Sequence, residues 1–84
     1  MGIEQQFKSA LDAIKSLPAQ SNDILLNLYG LYKQATAGDV TGKKPGLLDL
    51  VGKAKFEAWA SRRGLTREKA MEAYCKLVET LKGN

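Results

Sequence analysis

Apolar residues near the start of the chain recur at intervals of three and four: Ile3, Phe7, Ala10, Leu11, Ile14 and Leu17. This spacing predicts a helix over about residues 3–16, stopped by Pro18. Ser21, Asn22 and Asp23 offer caps for a second helix, whose stripe is Ile24, Leu25, Leu28, Leu31, Tyr32 and Ala35, with Gly38 at its C′ position. From Gly38 to about Leu50 the period lapses into turn signals, Gly38-Asp39, Gly42 and Pro45-Gly46. A third helix, capped by Asp49, is expected over about residues 50–63 and ends at Gly64. Thr66, with Glu68 in the first turn, opens a fourth that runs to about Lys82. On that last helix Ala70, Met71, Ala73, Tyr74, Leu77, Val78 and Leu81 share one arc, and Glu68, Lys69, Glu72, Lys76 and Glu79 fill the other side. No stretch alternates with the period of a strand. Four short helices with one apolar face each must cover one another, so the expectation is an all-α bundle, one domain over 1–84, with a small core.

Composition changes the picture by subtraction. The 84 residues hold one cysteine and no histidine. A disulfide within the chain is thereby excluded, as are Ser-His-Asp and Cys-His catalysis and histidine-based metal sites. The longest aliphatic run, Ile24-Leu25-Leu26, is far too short to span a bilayer, so stable membrane insertion is not expected. No basic n-region followed by an apolar h-region opens the sequence, so secretion is not expected, and Gln6 stands where a myristoylation motif wants Ser or Thr. A cytoplasmic location is the expectation.

Charge then selects a region. The net charge is +4, and residues 33–63, with seven basic and three acidic groups, carry +4 by themselves. An anionic partner belongs there. On the second helix Leu26, Tyr29 and Lys33 are contiguous just outside the core arc, in the order aliphatic, aromatic, cationic, facing away from Asn27, Gly30 and Gln34. That order suits a ligand with an apolar tail, a flat ring and an anionic group, although wheel geometry alone favours a half-buried tyrosine and a solvated lysine. Lys55 and Trp59 repeat the combination on the third helix, where Trp59 and Phe56 read as core and Lys55 as solvated. Tyr74 lies centrally in its apolar arc and reads as buried with an internal hydrogen bond. The stretch from Gly38 to Lys43 mimics a phosphate loop, but only three residues separate its glycines, Lys44 follows, and no strand precedes it. Cys75 has no histidine to activate it and reads as an inert packing thiol. Asp39 and Asp49 read as turn and cap residues.

YGLYKQATAGD at 29–39, KPG at 44–46, LLDL at 47–50, GKAKFEAW at 52–59 and AMEAY at 70–74 together resemble the signature of the acyl-CoA-binding protein family. The resemblance implies an up-down-down-up four-helix bundle that holds long-chain fatty acyl-CoA esters without chemistry, needing no cofactor. It further implies that Tyr29, Tyr32 and Lys33 contact the ligand, that Lys33 and Lys55 meet the ribose 3′-phosphate, that Tyr74 lies near the adenine, and that Lys15 lies near the phosphates. Leu25 and Leu26, one turn before Tyr29, are the candidates for the acyl chain. The connection through Leu17-Pro18-Ala19 is about one residue shorter than is common in the family. Phe56 stands where the family often has tryptophan, and Val51 where it is often basic, leaving the patch there weaker or more apolar. A nucleic-acid module is the main rival, since a pI of about 9.3 attracts phosphates in general. Three arginines against ten lysines, and no helix with a base-reading set, argue against a nucleic-acid partner. A free-fatty-acid carrier and a thioester-cleaving enzyme are weaker rivals. The default state is a monomer.

Overall fold

The computed structural model describes residues 2–83. Four helices run over α1 (Ile3–Ile14), α2 (Asn22–Ala37), α3 (Leu50–Ala60) and α4 (Arg67–Gly83), and the described residues form no strand. Their starts follow the sequence. The Ser21 hydroxyl accepts from the Ile24 amide, the Asp49 carboxylate from Gly52, and the Thr66 hydroxyl from Lys69, each satisfying a first-turn donor. Two ends fall short of expectation for one reason. After Ile14, and again after Ala60, successive amides donate to carbonyls three residues back, so each helix tightens before the chain leaves it. Gly38, with φ of 83°, and Gly64, with φ of 94°, then make the left-handed reversals.

The helices pack in a row. α1 lies on α4, α4 on α2, and α2 on α3, giving a flat molecule whose Cα extents are 40 × 27 × 15 Å. Directions can be read from neighbours. Ile3 and Gln6 share a hollow with Lys69 and Glu72, while Ala13 shares one with Val78 and Lys82, so α1 and α4 run the same way. The Gln34 amide near the end of α2 donates to the Leu65 carbonyl just before α4, so α2 runs against them. α3 runs with α2, because Tyr29 faces Lys55 and Lys33 faces Trp59, pairs each 26 positions apart. The order is therefore up, down, down, up. Parallel neighbours need a connection that returns the full length of a helix, ~24 Å for the 16 residues of α2. That return accounts for the aperiodic segment from Gly38 to Asp49.

The core belongs to α1, α2 and α4: Phe7, Ala10, Leu28, Leu31, Ala35, Ala70, Tyr74 and Val78 are buried together. No residue of α3 is fully buried. α3 is held instead by specific contacts. The Trp59 indole donates to the Gly38 carbonyl at 2.7 Å, and Arg62 donates to the Asn27 side chain at 2.9 Å. At Gly30 an added Cβ would stand 2.5 Å from the Ala58 carbonyl oxygen, so the two backbones touch there.

Candidate functional site

The seam between α2 and α3 gathers most of the chemistry that the sequence singles out. It begins where both helices begin, in an apolar cleft of about 380 Å³ lined by Asn22, Leu25, Leu26, Leu50, Val51, Ala54 and Lys55. One turn along, the Lys55 ammonium lies 5.4 Å from the centre of the Tyr29 ring. One turn further, the Lys33 ammonium lies 4.7 Å from the Trp59 ring. The aliphatic, aromatic, cationic order of the α2 flank is thus answered step by step by an aliphatic, cationic, aromatic order on α3, so that each ammonium meets a ring.

Charge at the seam is not cancelled. The ion pairs of the described residues involve Lys15, Lys44, Lys69 and Lys82, and Lys33 and Lys55 rest on ring faces instead of carboxylates. A ring face holds an ammonium in place by its quadrupole without neutralising it. Both cations therefore remain open to an anion. The larger hollow between α1 and α4, about 600 Å³, differs in this respect, since Lys69, Glu72, Lys76 and Glu79 alternate in sign along its lining. The Cys75 thiol also lines that hollow, and partial burial raises its pKa, which keeps it protonated.

On the opposite flank of α2, Tyr32 stacks on Phe7 at 6.4 Å, and the Phe7 ring meets Tyr74 edge-on at 5.2 Å. Tyr74 is only 4% exposed. Burial, and secondarily the nearby Tyr32 phenol, push its pKa up, so the hydroxyl stays neutral and able to donate. The sequence suggests an internal hydrogen bond for this hydroxyl, and none forms among the described residues.

Phe7 thus joins Tyr32 to Tyr74, and Tyr32 precedes Lys33 in the chain, which links the two flanks. Lys15 is not tied to this group. It follows the last residue of α1, at the end of the molecule where α2 starts, and its ammonium is 3.7 Å from Asp12. Trp59, a core anchor by its sequence, is half-buried instead, serving both as the peg of α3 and as the platform under Lys33. Asn22, Leu50 and Ala54 join the cleft, although the sequence marks them only as a cap candidate and as parts of the family signature. Leu50-Val51, apolar at a helix start where no core awaits them, is the signal that points to such a cleft.

The ends of the seam are fixed by a polar knot. Gln34, completely buried, donates from its amide nitrogen to Asp39 and to the Leu65 carbonyl, each at 2.8 Å. The Asp39 carboxylate also accepts from the Gly64 amide. Chiefly through that backbone bond, and then through Gln34, its pKa is held below the ordinary carboxylate value.

Comparison with known proteins adds an independent line. A family model described as acyl CoA binding protein matches residues 4–78. The acyl-CoA-binding protein homolog of Manduca sexta is 47% identical over 83 residues, covering 96% of this chain and 92% of its own. Acyl-CoA-binding protein homolog 1 of Caenorhabditis elegans is 50% identical over 76 residues, covering 89% and 88%. Among solved structures, the crystal structure of acyl-CoA-binding protein 2 from Oryza sativa superposes with a TM-score of 0.94 at 40% identity, covering 98% of this chain and 92% of that one. The solution structure of an acyl CoA binding protein from Babesia bovis gives 0.81 at 42% identity, covering 99% and 96%.

Proposed function

The chain belongs to the acyl-CoA-binding protein family, and from that premise we propose that it is a non-catalytic carrier of long-chain fatty acyl-CoA esters, holding them along the α2–α3 seam. The observation that carries this reading is the gradient of the seam, from an apolar cleft, past Tyr29, to two ammonium groups that no carboxylate neutralises. An acyl-CoA ester has the same polarity in the same order: hydrocarbon, then a pantetheine arm, then a phosphorylated nucleotide.

Each part has a role. Lys33 and Lys55 release their ring faces to meet the 3′-phosphate, where charge-assisted hydrogen bonds contribute about 1.5–3 kcal/mol each. Tyr32 and Tyr74 supply phenol donors and ring surface for the adenine. Lys15, at the far end of α2 from Lys33, is the least tied of the set, and to meet the phosphates it must leave Asp12, an exposed pairing of little strength. Leu25 and Leu26, with Leu50, Val51 and Ala54, shield the tail, whose methylenes are worth roughly 0.8 kcal/mol each when removed from water. Nothing in this scheme attacks the thioester. We further propose that the protein acts as a cytoplasmic monomer, a buffer that keeps a detergent-like ester in solution.

Calorimetric titration with hexadecanoyl-CoA tests the site. Lys33→Ala combined with Lys55→Ala is expected to weaken binding by ~100-fold or more, and wild-type protein should bind the dephospho-CoA ester nearly as poorly. An unchanged dissociation constant for the double variant would rule out these lysines as the phosphate ligands.

A further inference from the structure

The cleft gives Leu25, Leu26, Leu50 and Val51 something to do, but Leu47 and Leu48 do not line it. These two side chains are 79% and 101% exposed. They do not dangle from a loose loop. The Asp49 amide donates to the Gly46 carbonyl at 3.1 Å, which places Leu47 and Leu48 at the corner of a closed turn. Corners of that kind ordinarily take Gly, Asn, Asp, Ser or Pro, and two adjacent leucines contradict the local preference. The turn is also pinned, because the Lys44 ammonium is 2.8 Å from the Glu57 carboxylate on α3. An exposed apolar tip results, adjoining Leu50 and Val51 in the chain. Lys43 and Lys44 precede it and Lys53 follows it in the chain, within the segment that carries the net positive charge, Lys44 being paired with Glu57.

We propose that this tip is a reversible anchor on anionic bilayer surfaces, through which the tail of an acyl-CoA ester passes between membrane and cleft. Two leucines at a corner can enter the boundary between headgroups and acyl chains while lysines set behind them stay at headgroup level. No helix of the described residues is long and apolar enough to cross a membrane, so the contact is peripheral. A second copy of the chain fits less well, because two leucines offer far less area than the ~1,000 Å² or more that a stable interface buries. The tip borders the Leu50 and Val51 end of the cleft, so a tail leaving the bilayer can stay in apolar surroundings throughout. The choice of cargo rests on the carrier reading above, whereas the anchoring itself does not.

Flotation with vesicles separates the two. Ligand-free protein should float with vesicles of phosphatidylcholine containing about a third phosphatidylserine, and far less with phosphatidylcholine alone, since each lysine near an anionic surface is worth about fivefold. Leu47→Ser with Leu48→Ser should reduce flotation by more than ~tenfold, and Lys43→Gln with Lys53→Gln by a comparable amount. Both variants should titrate hexadecanoyl-CoA in solution as the wild type does, which keeps the vesicle result distinct from loss of the ligand site. Wild-type protein that stays with the aqueous phase, or serine variants that float unchanged, would overturn the proposal. So would a dimer in vesicle-free solution that the serine changes abolish, since it would assign the leucines to a second copy.

Discussion

At Asp39 a solvent-facing carboxylate does the work of a joint, accepting from the buried Gln34 amide and from the Gly64 backbone, so that the end of α2 and the α3–α4 connection share one anchor. Because its pKa is lowered in the folded state, this contribution is present above the pKa of the unfolded chain and is lost as pH falls through the folded value. Between about pH 6 and about pH 3 the wild type should therefore lose more stability, in denaturant melts, than Asp39→Asn does. Parallel curves would mean that the carboxylate contributes nothing beyond its shape. The role of Asp39 as a turn residue is legible in Gly38-Asp39, as are the caps at Ser21, Asp49 and Thr66, since each depends on neighbours within three or so positions. Gln34 is not legible. A glutamine amid a polar face reads as solvated, and only the arrival of residues 39 and 65 makes a buried hub of it.

The same contrast holds for elements. α4 meets both α1 and α2 with a single apolar arc, and Ala70, Tyr74 and Val78 are buried on it as its wheel predicts. α2 turns a second face to α3, where the Leu26, Tyr29 and Lys33 flank adjoins Gly30 against the Ala58 backbone, a mixture that shows no apolar stripe. α3, docked on one side only, buries nothing completely. Its seat depends on close approach at Gly30. Glycine to alanine in the middle of a helix ordinarily stabilises by up to ~1 kcal/mol. Here the new methyl would collide with the Ala58 carbonyl, so Gly30→Ala is expected to cost about 1–2 kcal/mol in urea unfolding, with an unaltered slope. Binding should suffer too, because displacing α3 parts Lys55 from Tyr29 and opens the cleft. A gain in stability would show that α3 sits more loosely on α2 than the geometry indicates.

For the molecule as a whole, the row α1–α4–α2–α3 leaves a body only 15 Å thick by its Cα atoms, with one small core on one side of α2 and an apolar cleft on the other. A tail laid in that cleft covers leucines that the protein by itself leaves in water. Affinity should accordingly climb with acyl length, by at most ~0.8 kcal/mol per methylene, and level off once the cleft is full. Equal calorimetric constants for dodecanoyl- and hexadecanoyl-CoA would place the tail outside the cleft. The parallel pairing of α2 with α3 has one more consequence. The crossover is tied down at Gly38, Asp39 and Lys44, and residues spliced in between Thr41 and Lys43 only lengthen the free stretch between those ties. α2 and α3 behave as matched screws: a single residue spliced in before Tyr29, or before Lys55, turns every later thread by about 100° and strips Tyr29 from Lys55 and Lys33 from Trp59 in one stroke.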